Sequence, residues 1–301
     1  MFGRLIVITA LVSARACAAA APYACADLAR DPEAVATIET TLAGVPAILR
    51  VPKKFAKAPI VLWHGFGPPA SERALMDALP LDDVPAVKVY LGLPLFGKRS
   101  EAGGVDALKL RQESDVALRV FEPVVAGAAK ELPSVLEALR KDGCARAGER
   151  IGLFGFSAGG AAVLYALAER DVPIGSAVVL NASTGLSASI AAYEHATGKT
   201  YAWSDAARDL ARRTDAIGRA RDIAAGHPAL LIVQGTSDTM LTPELATSLH
   251  GALAPFYKDR DTDREQLLLL DGLSHNVTDA AGIDDLRRRI GNWFNRTLDR
   301  S

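Results

Sequence analysis

Six short apolar runs recur along the chain, separated by longer amphipathic stretches. Each run is four or five residues long and apolar, apart from Lys88. Uninterrupted runs of this length are typical of strands in a parallel sheet that is covered on both faces. The predicted strands are Ile60–Trp63, Val87–Leu91, Ile151–Phe154, Ala177–Leu180, Leu230–Val233 and Leu267–Leu270.

Helical patterns lie between these runs, at Glu72–Leu79, Asp115–Leu139, Ala158–Glu169, Pro243–Leu253 and Ile283–Leu298. Alternation of strands and helices requires right-handed crossovers, so the pattern predicts an α/β fold with a doubly wound, mostly parallel sheet. The start of the chain differs. Ala36–Leu42 and Val45–Val51 flank a turn signal, which predicts an antiparallel N-terminal hairpin at the edge of the sheet.

One interval, from Ser183 to Pro228, is too long for a plain crossover. It contains Tyr193, Tyr201 and Trp203, followed by a charged helical stretch over 204–225. We expect this segment to form a helical lid over a pocket. The predicted organisation is a single domain over residues 26–301, with a lid insertion at about 183–228.

The N-terminal segment has three parts: a basic start that ends at Arg4, an apolar run over 5–14 and a small-residue tract over 16–21. This order predicts a signal peptide over residues 1–20 and a periplasmic or secreted protein. The alternative is a strand or helix of the core. Lipid attachment at Cys17 is not expected, because Arg15 stands where a lipobox has a small or apolar residue.

Composition excludes several classes of protein. With 50% hydrophobic and 23% charged residues, the chain is not a long disordered or fibrous protein. The 34 Lys and Arg nearly balance the 35 Asp and Glu, so no broad basic surface for nucleic acid is expected. No apolar stretch is long enough for a membrane span after signal removal.

Cysteine usage excludes further classes, because three cysteines are too few for a disulfide-rich scaffold or a four-cysteine zinc site. Once the signal peptide is removed, Cys25 and Cys144 remain in an oxidising compartment. The sequence leaves two alternatives open for them, a disulfide or two buried thiols.

A nucleophile motif follows the third parallel run. Gly155-Phe156-Ser157-Ala158-Gly159 matches G-x-S-x-G, between a predicted strand and a predicted helix. A turn this sharp exposes Ser157 at its apex and tolerates only small residues two positions away. The helix N-terminus then directs unpaired N–H groups at the reaction centre. The alternative is a glycine-rich turn that packs tightly or binds phosphate.

A serine nucleophile needs a base, and His275 follows the last predicted strand, where parallel sheets place their chemistry. The other histidines of the second half, at positions 195, 227 and 250, are expected to be solvated or capping residues. The acid that orients this base is expected at Asp238, after the preceding strand, and Asp271 is the rival candidate. The alternative role for Asp238 is an Asx turn or a helix cap. The predicted strand Ala177–Leu180 is followed by Asn181 and not by a carboxylate, so the acid is not expected there.

An acyl-transfer site also needs backbone N–H donors where negative charge develops. His64-Gly65 forms a turn directly after a buried strand, so the backbone N–H groups of Phe66 and Ala158 are the expected oxyanion hole. His64 is assigned a structural role, because His275 fills the position of the base.

The chain resembles the α/β-hydrolase superfamily from about Ala36 to Leu298. The matching motifs are His64-Gly65-Phe66-Gly67, Gly155-Phe156-Ser157-Ala158-Gly159, Gly235-Thr236-Ser237-Asp238 and Ser274-His275. Ser157, Asp238 and His275 also follow one another in the order of that superfamily. The segment 91–99 looks like the loop after the fourth strand, where the family often has Asp and this chain has Gly92.

Two arginine-containing segments, at 212–215 and 219–223, resemble prolyl-oligopeptidase-like and dienelactone-hydrolase-like esterases. Dienelactone hydrolases have Cys as nucleophile, whereas this chain has Ser157. The resemblance implies a serine esterase that cleaves a small-molecule carboxylic ester without a metal or organic cofactor. A peptidase, thioesterase or acyltransferase would use the same residues, and a non-catalytic binding module is the alternative of a different class.

Overall fold

The computed structural model describes residues 25, 35–257, 262–277 and 282–299. The predicted signal peptide at 1–20, with Cys17, lies outside these residues. Within the described part of the chain, no helix has the length and apolarity needed to cross a membrane.

In the described part of the chain, eight strands form one sheet in the order β1-β2-β4-β3-β5-β6-β7-β8. They are β1 (Ala36–Leu42), β2 (Val45–Val51), β3 (Ile60–Trp63), β4 (Lys88–Leu91), β5 (Ile151–Phe156), β6 (Ile174–Leu180), β7 (Ala229–Gly235) and β8 (Glu265–Leu270). β2 pairs antiparallel with β1 and β4, and all other neighbours are parallel. The predicted α/β fold with a mostly parallel sheet and an N-terminal hairpin is confirmed.

The hairpin turn shows how local sequence sets the edge of the sheet. Ala43 and Gly44 both have positive φ, 49° and 86°, as the two central residues of a tight type I′ turn require. Leu42 therefore pairs directly with Val45. The inner strands β3 to β7 are buried at every position, which explains their uninterrupted apolar runs.

Helices cover both faces of the sheet. They are α1 (Glu72–Ala78), α2 (Gly104–Val116), α3 (Ala128–Lys141), α4 (Ala158–Glu169), α5 (Leu186–Thr197), α6 (Asp205–Thr214), α7 (Ala220–Ala225), α8 (Pro243–Leu253) and α9 (Ile283–Thr297), with short 3₁₀ turns at Gly97–Arg99, Ala254–Phe256 and Thr262–Arg264. The helices α1 and α9 pack on one face. The helices α3, α4, α7 and α8 pack on the other.

The segment from Asp115 to Leu139, predicted as one helix, is not a continuous α-helix in the structure. Asp115 has non-helical angles (φ −170°, ψ 96°), and its Oδ1 accepts hydrogen bonds from the N–H groups of Ala117 and Leu118. A π-helical segment, Ala117–Gly127, follows and joins α2 to α3. The apolar pattern did not predict α2 because Val116 is its one buried residue.

The long interval from 183 to 228 contains three helices, α5, α6 and α7. The prediction of one helical stretch over 204–225 was wrong, since α6 ends at Thr214. Asp215 accounts for the interruption, because its Oδ1 accepts hydrogen bonds from the N–H groups of Ile217 and Gly218 and forms an Asx turn.

Cys25 and Cys144 are joined in a disulfide, with their Cα atoms 5.1 Å apart. The backbone N–H of Cys25 also donates to the carbonyl of Asp142. The disulfide thus fixes Cys25 to the turn that follows α3, and it resolves the alternatives that the sequence left open.

Lys88, the one polar residue of the apolar runs, is fully buried at the start of β4. Its Nζ donates a hydrogen bond to the carbonyl of Val84. Burial lowers the pKa of the Lys88 amine to about 8, against a smaller opposing effect of Asp82. The unfolded chain therefore binds this proton more tightly than the folded protein does, so stability falls as the pH drops below 10.5, and the full cost is present below pH 8.

Replacing Lys88 with methionine is expected to stabilise the protein at pH 7 by about 2 kcal/mol, because the variant no longer buries an amine. The gain should shrink at pH 10, since the parent's penalty falls as pH rises from 8 towards 10.5. The carbonyl of Val84 keeps a donor in the N–H of Ala86. Urea unfolding of both proteins at the two pH values measures the difference; an equal effect at both would contradict this explanation.

Candidate active site

Ser157 occupies the sharp turn between β5 and α4. Its backbone angles (φ 54°, ψ −115°) are unusual for a residue with a side chain. A Cβ at Gly155 would lie 2.2 Å from the carbonyl oxygen of Gly159, and one at Gly159 would lie 2.4 Å from the carbonyl oxygen of His64. The turn thus requires glycine on both sides of the serine.

His275 lies beyond β8 and reaches back to the serine. Its Nε2 is 3.1 Å from Ser157 Oγ, and its Nδ1 is 2.7 Å from Asp238 Oδ2. The imidazole ring also packs against Phe156, with ring centroids 5.3 Å apart. Because Nδ1–H donates to the carboxylate, the lone pair of Nε2 faces the serine hydroxyl, which donates to it.

The Asp238 carboxylate is buried and held on both oxygens. Oδ1 accepts hydrogen bonds from the backbone N–H groups of Met240 and Leu241, both at 2.9 Å. Oδ2 accepts from His275 and, at 3.3 Å, from Gln234 Nε2. These donors fix the carboxylate, and the carboxylate in turn fixes the orientation of the imidazole.

Backbone contacts join the loop that contains Asp238 to the segment after β8. The N–H groups of Thr236 and Ser237 donate to the carbonyls of Leu270 and Leu273. At Gly235 a Cβ would lie 2.1 Å from the carbonyl oxygen of Leu273, so the two segments pack without room for a side chain. The loop that contains Asp238 and the segment that leads to His275 therefore form one closely packed unit.

The backbone around Phe66 approaches the serine closely. A Cβ at Gly65 would lie 2.9 Å from Ser157 Cβ. Within the described residues, the N–H groups of Phe66 and Ala158 have no hydrogen-bond acceptor. The Phe66 ring stacks on Phe96 at 5.0 Å, which holds this turn in place. Within this part of the chain neither amide has a competing acceptor, which is what an oxyanion hole requires.

His64 is buried and bound to backbone through both ring nitrogens. Nδ1 lies 2.8 Å from the carbonyl of Gly65, and Nε2 accepts a hydrogen bond from the N–H of Leu93 at 3.2 Å. Burial lowers the pKa of His64 to about 4. His64 therefore links the loops after β3 and β4 and has no free nitrogen to act as a base.

The rival candidates lie apart from the serine or have other partners. His250 Nδ1 is 2.8 Å from Glu265 Oε1, at the opposite end of β8. Asp271 accepts a hydrogen bond from Thr236 Oγ1 instead of from the imidazole. Within the described residues, no group of three or more His, Cys, Asp or Glu side chains is arranged to hold a metal ion.

Two buried amides contact this site, and sequence reasoning missed both. Gln234 donates to Asp238, as described above, and to the carbonyl of Leu241. Asn181, used above only to exclude a carboxylate after β6, contacts the backbone on both sides of the acid–base unit. A polar residue at the end of an apolar strand is the signal that could have identified them, because buried amides are retained where they are hydrogen-bonded.

The family model of the prolyl oligopeptidase family matches residues 127–301, which is more than half of the chain and includes the serine, the aspartate and the histidine. The chain belongs to the prolyl oligopeptidase family. It is therefore a member of the α/β-hydrolase superfamily, as the motifs implied. Comparison of the sequence with curated proteins finds no match.

Solved structures show the same fold at low identity. TT1662 from Thermus thermophilus is 21% identical, with a TM-score of 0.67 over 87% of this chain and 98% of that chain. Dienelactone hydrolase from Anabaena variabilis is 14% identical, with a TM-score of 0.53 over 87% and 98%. A puromycin-hydrolysing peptidase of Mycobacterium tuberculosis is 18% identical, with a TM-score of 0.60 over 88% of this chain but 40% of that chain.

Proposed function

We propose that this member of the prolyl oligopeptidase family is a serine hydrolase that cleaves small carboxylic esters through an acyl-enzyme. The observation that supports this most strongly is the chain of contacts from Asp238 through His275 to Ser157, with 2.7 and 3.1 Å separations. Such a chain activates a hydroxyl that is otherwise a poor nucleophile.

In the proposed reaction, Ser157 Oγ attacks the ester carbonyl carbon while His275 Nε2 accepts its proton. The backbone N–H groups of Phe66 and Ala158 bind the tetrahedral oxyanion. His275 then gives the proton to the departing alcohol, and the acyl group stays on the serine. In the second half, His275 takes a proton from a water molecule as its oxygen attacks the acyl carbon. The bond between that carbon and Ser157 Oγ then breaks, His275 returns the proton to Oγ, and the carboxylic acid leaves. Asp238 orients the imidazole and stabilises its charged form throughout.

The segment at about 183–228 is proposed to be a lid over this site. Its first residue, Ser183, donates its backbone N–H to the carbonyl of Ser157 at 3.3 Å. Further along, Tyr201 Oη donates to Asp115 Oδ1 at 2.8 Å, and its ring lies edge-on against Trp203. These contacts support a segment that starts next to Ser157 and is anchored at Asp115, near the end of α2.

Export to the periplasm or the medium is proposed from the first 20 residues of the sequence. The disulfide between Cys25 and Cys144 supports an oxidising location, because such bridges are rare in reducing compartments.

A peptidase is the second candidate function, because the family model that matches is that of prolyl oligopeptidases. Ester and amide cleavage use the same three side chains, so substrate preference distinguishes the two candidates. The test compares p-nitrophenyl esters of increasing acyl length with aminoacyl p-nitroanilides and acyl thioesters, using one enzyme preparation. We expect the largest kcat/KM for one of the esters. Higher kcat/KM for the aminoacyl amides would overturn the esterase proposal in favour of a peptidase.

A further inference from the structure

Asn181 is the first residue after β6, and it is completely buried beside the proposed active site. Its φ of 45° places the backbone in the left-handed region, which asparagine tolerates better than most residues with a side chain. An unfavourable backbone conformation at a buried polar residue suggests that the side chain has a specific task.

The Asn181 amide bridges two loops. Its Nδ2 donates a hydrogen bond to the carbonyl of Ser274 at 2.9 Å and lies 3.4 Å from the carbonyl of His275. Its Oδ1 accepts a hydrogen bond from the N–H of Gly235 at 2.8 Å. One side chain therefore contacts the backbone of the proposed base and the strand end that leads to Asp238.

These contacts require a donor and an acceptor on one short side chain. An aspartate at this position would direct a carboxylate oxygen at the carbonyls of Ser274 and His275, and these are all hydrogen-bond acceptors. A glycine would leave the buried N–H of Gly235 and those carbonyls without their partner, and unpaired buried groups are costly. The amide fits because its oxygen faces an N–H while its nitrogen faces carbonyls.

We propose that Asn181 is a positioning residue that holds His275 in register with Ser157 and Asp238. This inference rests on the proposed function. Asn181 contacts the backbone of the base and not its ring, so it acts on geometry and not on proton transfer. Errors of about 1 Å in such an arrangement can cost on the order of 100-fold in rate.

The test uses Asn181→Asp and Asn181→Gly, two replacements that tolerate positive φ. We expect kcat for p-nitrophenyl acetate to fall by about 10- to 100-fold in both, with KM within about two-fold of the parent value. The rate of Ser157 labelling by a fluorophosphonate should fall in parallel. Rates are expressed per folded chain, measured by circular dichroism and calorimetry, so that partial unfolding does not imitate a catalytic defect.

Ser176→Ala is the matched control. Ser176 is buried near the opposite end of the same strand, where its Oγ lies 2.7 Å from Thr297 Oγ1. Its loss should lower the melting temperature but leave kcat and KM per folded chain unchanged. Parent-level kcat in both Asn181 variants would overturn the positioning role, as would a change confined to KM. If the parent enzyme itself neither hydrolyses the ester nor reacts with the probe, the proposed function fails instead.

Discussion

Replacing Ser157 with alanine should lower kcat/KM for p-nitrophenyl acetate by about 10⁴- to 10⁶-fold, because the members of the proposed catalytic triad would act as one unit. The Oγ atom contacts His275 Nε2, so its removal deletes the attacking atom without disturbing the turn. Initial rates at saturating and limiting ester concentrations measure the loss.

Two further variants test whether Ser157 and His275 act together in the proposed reaction. His275→Ala should lose as much activity as Ser157→Ala, and the double variant should lose little more than either single one. A control, His250→Ala, removes a histidine that pairs with Glu265 away from the site and should keep the parent rate. A Ser157→Ala protein that hydrolyses the ester at the parent rate would contradict the proposed mechanism.

Replacing Gly155 with alanine should destabilise the protein by more than about 4 kcal/mol, an effect reserved for severe structural conflicts. The new Cβ would lie 2.2 Å from the carbonyl oxygen of Gly159 and 2.5 Å from the backbone nitrogen of Gly160. Both atoms belong to the first turn of α4, so no flexible side chain can move aside. Urea unfolding, or the soluble yield where the variant does not fold, measures the cost.

Gly251→Ala is the control for this prediction. Gly251 lies in α8, and a Cβ there would have no atom within 4 Å apart from those of its chain neighbours and of the surrounding helix backbone. Alanine is the better helix former, so this variant should be more stable than the parent by about 0.5 to 1 kcal/mol. Equal stability of Gly155→Ala and the parent would contradict the prediction, because the turn would then have to accommodate a Cβ for which the structure has no room.

The sequence predicted the sheet and the loops of the site because both depend on local patterns. Buried strands need uninterrupted apolar runs, and the elements at 151–156 and 229–235 began within one residue of their predictions. The position of the loops could be predicted from the strands, since the carboxyl ends of parallel strands lie at one edge of the sheet. The residues Ser157, Asp238 and His275 each follow such a strand, and the structure brings their side chains within hydrogen-bond distance.

The features that the sequence did not predict depend on long-range contacts. Asn181 bridges residues 54 and 93 positions away, and no local pattern specifies those partners. The complete burial of the Lys88 side chain was not predicted, because it depends on the strands and helices that pack around β4. The helix α2 was not predicted either, because Val116 is its one buried residue and an apolar period therefore does not mark it.

The central claim is that His275 activates Ser157 as a nucleophile. Its most direct test is covalent labelling with a fluorophosphonate, followed by peptide mapping with mass spectrometry. The account predicts one label per chain, on Ser157, and labelling slowed by orders of magnitude in His275→Ala. Labelling at another residue, or equally rapid labelling of Ser157 without the imidazole, would contradict it.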